Sequence, residues 1–182
     1  SDDHSGLLPL PDDAPVGQDF RAYRKLDDAR LTLKLTPNRA DCLSVLGVAR
    51  EVVALTGAPF TPVALEPVKA AIADAFPVRI TAPEGCGRFA GRVIRNVNAA
   101  APTPQWMVDR LEASGQRSIS ALVDVTNYVM LELGRPLHVY DRGKLSGFID
   151  VRWGLPGEQR ELRNEQTVDV DDSVLCITDA SG

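Results

Sequence analysis

Arg117-Ser-Ile-Ser-Ala-Leu-Val-Asp-Val-Thr-Asn-Tyr-Val-Met-Leu-Glu-Leu-Gly-Arg-Pro-Leu-His-Val-Tyr-Asp141 is the stretch on which the reading of this chain turns. From Leu122 to Leu133 its polar positions are Asp124, Thr126, Asn127 and Glu132, set in an otherwise apolar run, so the element is expected to be largely buried. An unpartnered buried amide or hydroxyl costs about 1–3 kcal/mol, and Thr126 and Asn127 are therefore expected to have partners, in the protein or in a ligand. Met130, Leu131, Glu132 and Leu133 favour helix, Asp124 or Thr126 stands where a cap would start one, and Gly134 followed by Pro136 ends it. Past Pro136 the chain must extend again, which is expected to bring His138 back beside the helix it has left. A hydroxyl, an amide and an imidazole then fall in one helix-turn unit. On these residues alone they are either caps and a core histidine or the polar groups of a site.

The rest of the chain carries motifs in step with this one. Upstream lies Leu35-Thr-Pro-Asn-Arg-Ala-Asp-Cys-Leu-Ser-Val-Leu-Gly-Val-Ala-Arg-Glu-Val-Val53, and downstream lie Ile149-Asp-Val-Arg152, Pro156-Gly-Glu158 and Asp172-Ser-Val-Leu-Cys-Ile-Thr-Asp179. With Asp124 to Asp141, and in the same order, these segments resemble the editing module in the β subunit of bacterial phenylalanyl-tRNA synthetase. The resemblance covers essentially the whole chain. Leu137, Val139 and Tyr140 stand around the histidine where Met, Ala and Phe are more usual in that family, swaps that keep size and apolarity.

Composition bounds the function classes. The 182 residues are 44% hydrophobic and 25% charged, suited to one compact domain or two small lobes, and no apolar run approaches membrane-spanning length. A net charge of −5 argues against a domain that grips a nucleic-acid duplex by bulk electrostatics, so DNA is not an expected partner, while a brief encounter with one RNA end is compatible with it. Cys42, Cys86 and Cys176 are odd in number and lack metal-ligand spacing. Cys42 and Cys176 read as small core residues and Cys86 as a loop thiol, usage that fits a reducing cytoplasm. The chain opens on Ser1, shows no signal-peptide pattern and stops at Asp179-Ala-Ser-Gly182, which reads as a piece of a longer protein.

In order along the chain, residues 1–18 are rich in Asp, Pro and Gly and read as an entry segment or linker, with His4 a tail residue; residues 19–182 read as the domain. Arg30 to Leu35 alternates as a half-buried strand would. Asp41 is placed to cap a helix through about Leu55, with Cys42, Val45, Leu46, Ala49, Val52 and Val53 on its core face, and the Asn38-Arg39-Ala40-Asp41 turn reads as structural. Glu66 to Ala75 is ambiguous between helix and loop. Phe76 to Thr81 and Arg88 to Val97 are expected to pair antiparallel across Gly85-Cys86-Gly87. Thr103-Pro104 opens a helix over Gln105 to Ser114, anchored by Trp106, Met107 and Leu111. Short strands follow at Ile149 to Trp153, Gln159 to Arg163, Gln166 to Val170 and Val174 to Thr178, with a turn at Asn164-Glu165. The predicted fold is α+β, about three helices packed on antiparallel or mixed sheet, truncated at its C-terminal end.

The resemblance implies a chemistry. It predicts hydrolytic removal of tyrosine from mischarged phenylalanine tRNA, because an apolar pocket rejects an added hydroxyl by only about a hundredfold and a second sieve is needed. Carried onto this chain, it puts Thr126, Asn127 and His138 at the editing pocket: His138 orienting water or the terminal ribose, Asn127 and Thr126 positioning the aminoacyl ester. No serine or cysteine nucleophile with a paired base is evident, which leaves water as the attacker. Neither nucleotide-phosphate glycine motif occurs, so no cofactor is expected here, and the ATP and magnesium of the parent synthetase are implied to act elsewhere. The implied partners are the 3′ end of phenylalanine tRNA, the synthetase α subunit and the remainder of the β subunit. The resemblance further implies a glycine-rich turn with a glutamate beyond Gly182, so the editing domain is expected to be C-terminally incomplete. A non-catalytic scaffold or tRNA-seating module of the same synthetase is the competing reading.

Overall fold

A computed structural model of the chain describes residues 6–162 and 165–182, which fall into two units, one ending at Thr36 and the other running from Pro37 to Gly182. In the first unit, helix α1 (Phe20–Tyr23) is capped by Asp19, whose carboxylate accepts from the Ala22 amide at 2.9 Å. Arg21 pairs with Asp27 at 2.7 Å, an exposed pair that contributes little. The strand expected over Arg30 to Leu35 does not form: the segment is irregular, with Leu31 84% and Leu33 54% exposed. Alternation sets which side chains share a face, but a strand also needs a neighbouring backbone to bond, and the sequence does not supply one.

The second unit holds three longer helices. Helix α2 (Val45–Thr56) starts at Ser44, whose hydroxyl accepts from the Gly47 amide at 3.0 Å, and ends at Gly57 in the left-handed region. The expected cap, Asp41, lies instead in a 3-10 turn over Ala40–Cys42, with its carboxylate engaged by Arg39. The predicted core face of α2 is only partly covered: Cys42 is buried, whereas Val45 and Val52 are exposed. Helix α3 (Gln105–Ala113) follows Pro104 and buries Met107 and Leu111, while Trp106 stays half exposed. Helix α4 (Ala121–Leu133) packs against both α2 and α3. Its N-cap is Ser120 in extended conformation, which makes no side-chain bond, and its C-cap is Gly134 at φ 78°. Only glycine takes that backbone geometry without strain, which is why the helix stops there.

Five strands among the described residues complete the architecture. In a three-stranded sheet of order β1-β2-β5, β1 (Val78–Ile80) pairs parallel with β2 (Ile149–Trp153), and β2 pairs antiparallel with β5 (Leu175–Asp179). β3 (Glu158–Glu161) and β4 (Thr167–Val170) form a separate antiparallel pair. The fold is α+β with mixed sheet, as predicted. The antiparallel pairing expected between Phe76 to Thr81 and Arg88 to Val97 is replaced: the later segment is irregular, and Val78 aligns with Ile149. Glu66 to Ala75 is loop rather than helix, and Arg163 and Asn164 of the expected hairpin turn lie outside the described residues. In β2, Ile149 and Val151 turn inward and are 7% and 1% exposed, with Ala82 also buried in the same region of chain as β1. Cys176 of β5 is half-buried rather than core.

An ion-pair group ties β2 to β3. Glu158, 13% exposed, accepts from Arg152 at 2.8 and 2.9 Å, from the Leu155 amide at 2.9 Å, and from Arg160. The Arg152 guanidinium, helped by the Leu155 amide and Arg160, lowers the Glu158 pKa to about 2. A lowered carboxylate stabilises the fold above its ordinary value, 4.5, and that stabilisation fades as pH falls toward about 2. Thermal melts of wild type and Glu158→Gln between those limits should converge as pH falls. Parallel curves would show that this network does not govern acid stability.

Candidate functional site around helix α4

The hub of α4 is Asp124, fully buried at 0% exposure. Its carboxylate accepts from the Ser118 hydroxyl at 2.6 Å, the Ile119 amide at 2.9 Å and the Thr103 hydroxyl. Burial alone raises its pKa, but the bonds from Ser118, Thr103 and the Ile119 and Ser120 amides outweigh it, and the net shift is downward. Asp124 is therefore not the helix cap: it sits one turn inside, where Asp124 N donates to Ser120 O at 2.8 Å. It joins the segment before α3 to the start of α4. The rest of the helix is half-buried, apart from exposed Val125, so the fully buried element expected from its composition is corrected to one covered by helices on part of its circumference.

Thr126 and Asn127 both lie on α4 and are both half-buried. Thr126 donates its hydroxyl to the Val123 carbonyl at 2.7 Å, a bond back into its own helix. Asn127 makes no side-chain hydrogen bond among the described residues. Successive helical residues stand about 100° apart, so the two side chains leave α4 in different directions and a group engaging both must lie across the edge between them. His138 lies on the irregular segment after Gly134, is exposed, and sets its ring nearly parallel to that of Tyr140, with centroids 6.1 Å apart and planes at 18°. Among the described residues no hydrogen bond joins any two of Thr126, Asn127 and His138.

Two cavities lie near these elements. One, about 310 Å³, has walls from Tyr140, Leu145, Ile149, Ile177, Thr178 and Asp179, with Ser181 and Gly182. The other, about 160 Å³, lies between α2, residues 60–63 and the end of α4 at Glu132 and Leu133. Neither takes a wall from Thr126, Asn127 or His138, although Tyr140 places the larger one next to the ring on which His138 stacks. Burial raises the Tyr140 pKa, favouring the neutral phenol.

Asp41, Cys42 and Glu51 hold their donor atoms within 4.8 Å of one another, a spacing that could suit a metal. The chemistry of the group says otherwise. Arg39 donates to Glu51 at 2.9 Å, to both Asp41 oxygens at 3.1 and 3.0 Å, and to the Cys42 sulfur at 3.3 Å. A guanidinium thus takes up the donor set, its own pKa raised by Glu51 and Asp41, while burial pushes the Cys42 thiol up.

Sequence reasoning missed two features. Asp124 as an acceptor for three groups was signalled by a lone acid in an apolar run, but not its donors. The grouping of Trp106, Arg110 and Tyr128 across α3 and α4 had no local signal, since it depends on how the helices meet.

The three longer helices and the mixed sheet lie in a chain whose sequence defines its family. The chain belongs to the B3/4 domain family, whose model matches residues 85–182. Its curated relatives are more particular. It is 62% identical over 98% of its length to the phenylalanine–tRNA ligase beta subunit of Burkholderia lata, 62% over 98% to that of Cupriavidus pinatubonensis, and 61% over 97% to that of Bordetella pertussis. In each case it spans 22% of the relative's length.

Proposed function

We propose that this chain is the part of a phenylalanine–tRNA ligase beta subunit that hydrolyses tyrosine from mischarged phenylalanine tRNA. The observation that carries this reading is Asn127, a half-buried residue whose amide makes no protein hydrogen bond among the described residues, reaches solvent and stands beside Thr126 in the segment most like the editing module. A polar group placed on an apolar helix, accessible and not engaged by the protein, is open to a ligand. In this reading Asn127 and Thr126 position the aminoacyl ester, His138 orients the attacking water or the terminal ribose, and donors near the developing oxyanion supply the rate. The 3′ end of the tRNA reaches the site from outside. The α subunit and the remainder of the β subunit are the protein partners, ATP and magnesium act elsewhere in the ligase, and the whole works in the cytoplasm.

One observation favours a second reading, a non-catalytic scaffold or tRNA-seating module: the Thr126 hydroxyl is already bonded to Val123 O. The complete ligase separates the two. His138→Ala and Asn127→Ala should each slow Tyr-tRNA deacylation by about a hundredfold while phenylalanine attachment stays within about twofold. Equal loss of both reactions, or no loss of deacylation, would reject the editing assignment.

A further inference from the structure

Trp106, in the first turn of α3, is 50% exposed although it is among the largest apolar side chains in the unit. It is nevertheless held in place. Its ring meets Tyr128 of α4 edge-on, with centroids 5.3 Å apart and planes at 90°. Arg110, one turn further along α3, places its guanidinium carbon 5.2 Å from the Trp106 centroid and 5.9 Å from that of Tyr128, and donates to the Tyr128 hydroxyl. The Tyr128 hydroxyl in turn donates to Glu132 at 3.2 Å. Arg110 forms no ion pair with a carboxylate among the described residues, and the nearby Asp109 is engaged by Gln105 at 2.8 Å.

A half-open indole, immobilised by a second ring and flanked by a guanidinium that makes no direct ion pair among the described residues, has the properties of a surface on which a planar base stacks. Stacking asks for one face and one cation, not a broad basic patch, and so suits a chain of net charge −5 that cannot hold a duplex. On the fold, Tyr128 follows Asn127 about 1.5 Å further along the α4 axis and about 100° around it, so the platform stands on the adjoining face of the same helix. Resting on the editing reading for its choice of ligand, we infer that Trp106, backed by Tyr128 and Arg110, is a stacking platform for one unpaired base in the 3′ end of the tRNA. Arg110 faces the adjoining phosphate. The platform binds and does not take part in bond breaking.

The test uses the complete ligase with Trp106→Ala, Trp106→Phe and Arg110→Gln. Uncharged tRNA carrying a photoreactive azido base in its unpaired 3′ end should crosslink to the peptide containing Trp106, about tenfold less after Trp106→Ala, with Trp106→Phe retaining most of the yield. In Tyr-tRNA deacylation, Trp106→Ala should raise KM about tenfold and leave kcat within about twofold, and Arg110→Gln should weaken the salt dependence of KM. Failure of the wild-type ligase to deacylate Tyr-tRNA would reject the editing reading, while the crosslink would still decide the platform. A crosslink that misses this peptide, or is unchanged in Trp106→Ala, overturns it. So does an indole shielded from oxidation in the RNA-free ligase, the result expected of a protein contact. A fall in kcat and thermal stability that Trp106→Phe fails to rescue would make the residue structural and also overturn it.

Discussion

Asp124→Ala is expected to destabilise the chain by about 3–5 kcal/mol: hydrogen bonds to a charged group contribute about 1.5–3 kcal/mol each and three are lost, offset in part by the desolvation that burying the carboxylate costs. The carboxylate has no solvent contact, and its loss leaves the Thr103 hydroxyl, the Ser118 hydroxyl and the Ile119 amide without their acceptor. The Thr103 and Ser118 hydroxyls would then be half-buried and unpaired. For a unit of this size the melting temperature should fall by about 10 °C. Asp124→Asn should recover only part of this, since it keeps one acceptor oxygen but turns an amide NH₂ toward donors. The pH dependence carries a sign. The Asp124 pKa is lowered on folding, so its contribution is present above the ordinary carboxylate range and is lost as pH falls through the folded value. In either variant that acid-side loss should disappear. Melts of all three proteins between neutral pH and about pH 3 check both effects. A drop of less than about 3 °C in both variants would mean that the network is not a main support of α4.

Gly47→Ala should be as damaging for a different reason. Gly47 lies in the first turn of α2, where alanine would ordinarily improve helix propensity by about 1 kcal/mol. Here a methyl group would stand 1.8 Å from the Asp41 carbonyl oxygen and 2.8 Å from its carbon. Both are backbone atoms of the 3-10 turn, so no rotamer relieves the overlap and the turn must move off the helix. That movement would break the Ser44 cap and separate Arg39 from Glu51. The expected loss is about 3 kcal/mol or more, at the upper end of overpacking effects. Gly57→Ala is the control. Gly57 has φ 68° but open space around it, so only backbone strain applies and the loss should be about 1 kcal/mol. Equal, small effects at both positions in denaturant titration would show that the turn yields easily.

These two expectations bear on function because both residues set where α4 and its neighbours stand. Asp124 ties the start of α4 to Thr103, just ahead of α3, and thereby fixes Tyr128 against Trp106. At the other end, the Gly134 backbone comes close to Ser44, the cap of α2: an added Cβ would lie 3.1 Å from the Ser44 hydroxyl oxygen. The segment bearing His138 leaves from that contact. A loss of deacylation in Asp124 variants therefore has to be read beside their stability, whereas His138, exposed and without a hydrogen bond among the described residues, can be altered with little effect on folding.

Three helices, ending near Thr56, Ala113 and Leu133, and the strands after Phe148 were legible in the sequence, because terminal glycines and apolar periodicity act within a few residues; the starts of the first and third were not, since Ser44 and Ser120 precede them rather than Asp41 and Asp124 or Thr126. The motif from Asp124 to Asp141, with Thr126, Asn127 and His138, was legible in the same way as a pattern of residue types. What the chain could not show locally was choice of partner. Arg30 to Leu35 and Val78 to Ile80 alternate alike, yet only the second finds a backbone to bond, Ile149 to Val151, some 70 residues away. Ser44 caps α2 in place of Asp41 because Arg39 claims the Asp41 carboxylate. Trp106 stays half open because α4 offers it the edge of Tyr128 rather than a pocket. Local propensity is set by neighbouring dihedrals and side chains, but pairing and exposure depend on groups distant in sequence, and those only the tertiary structure brings together.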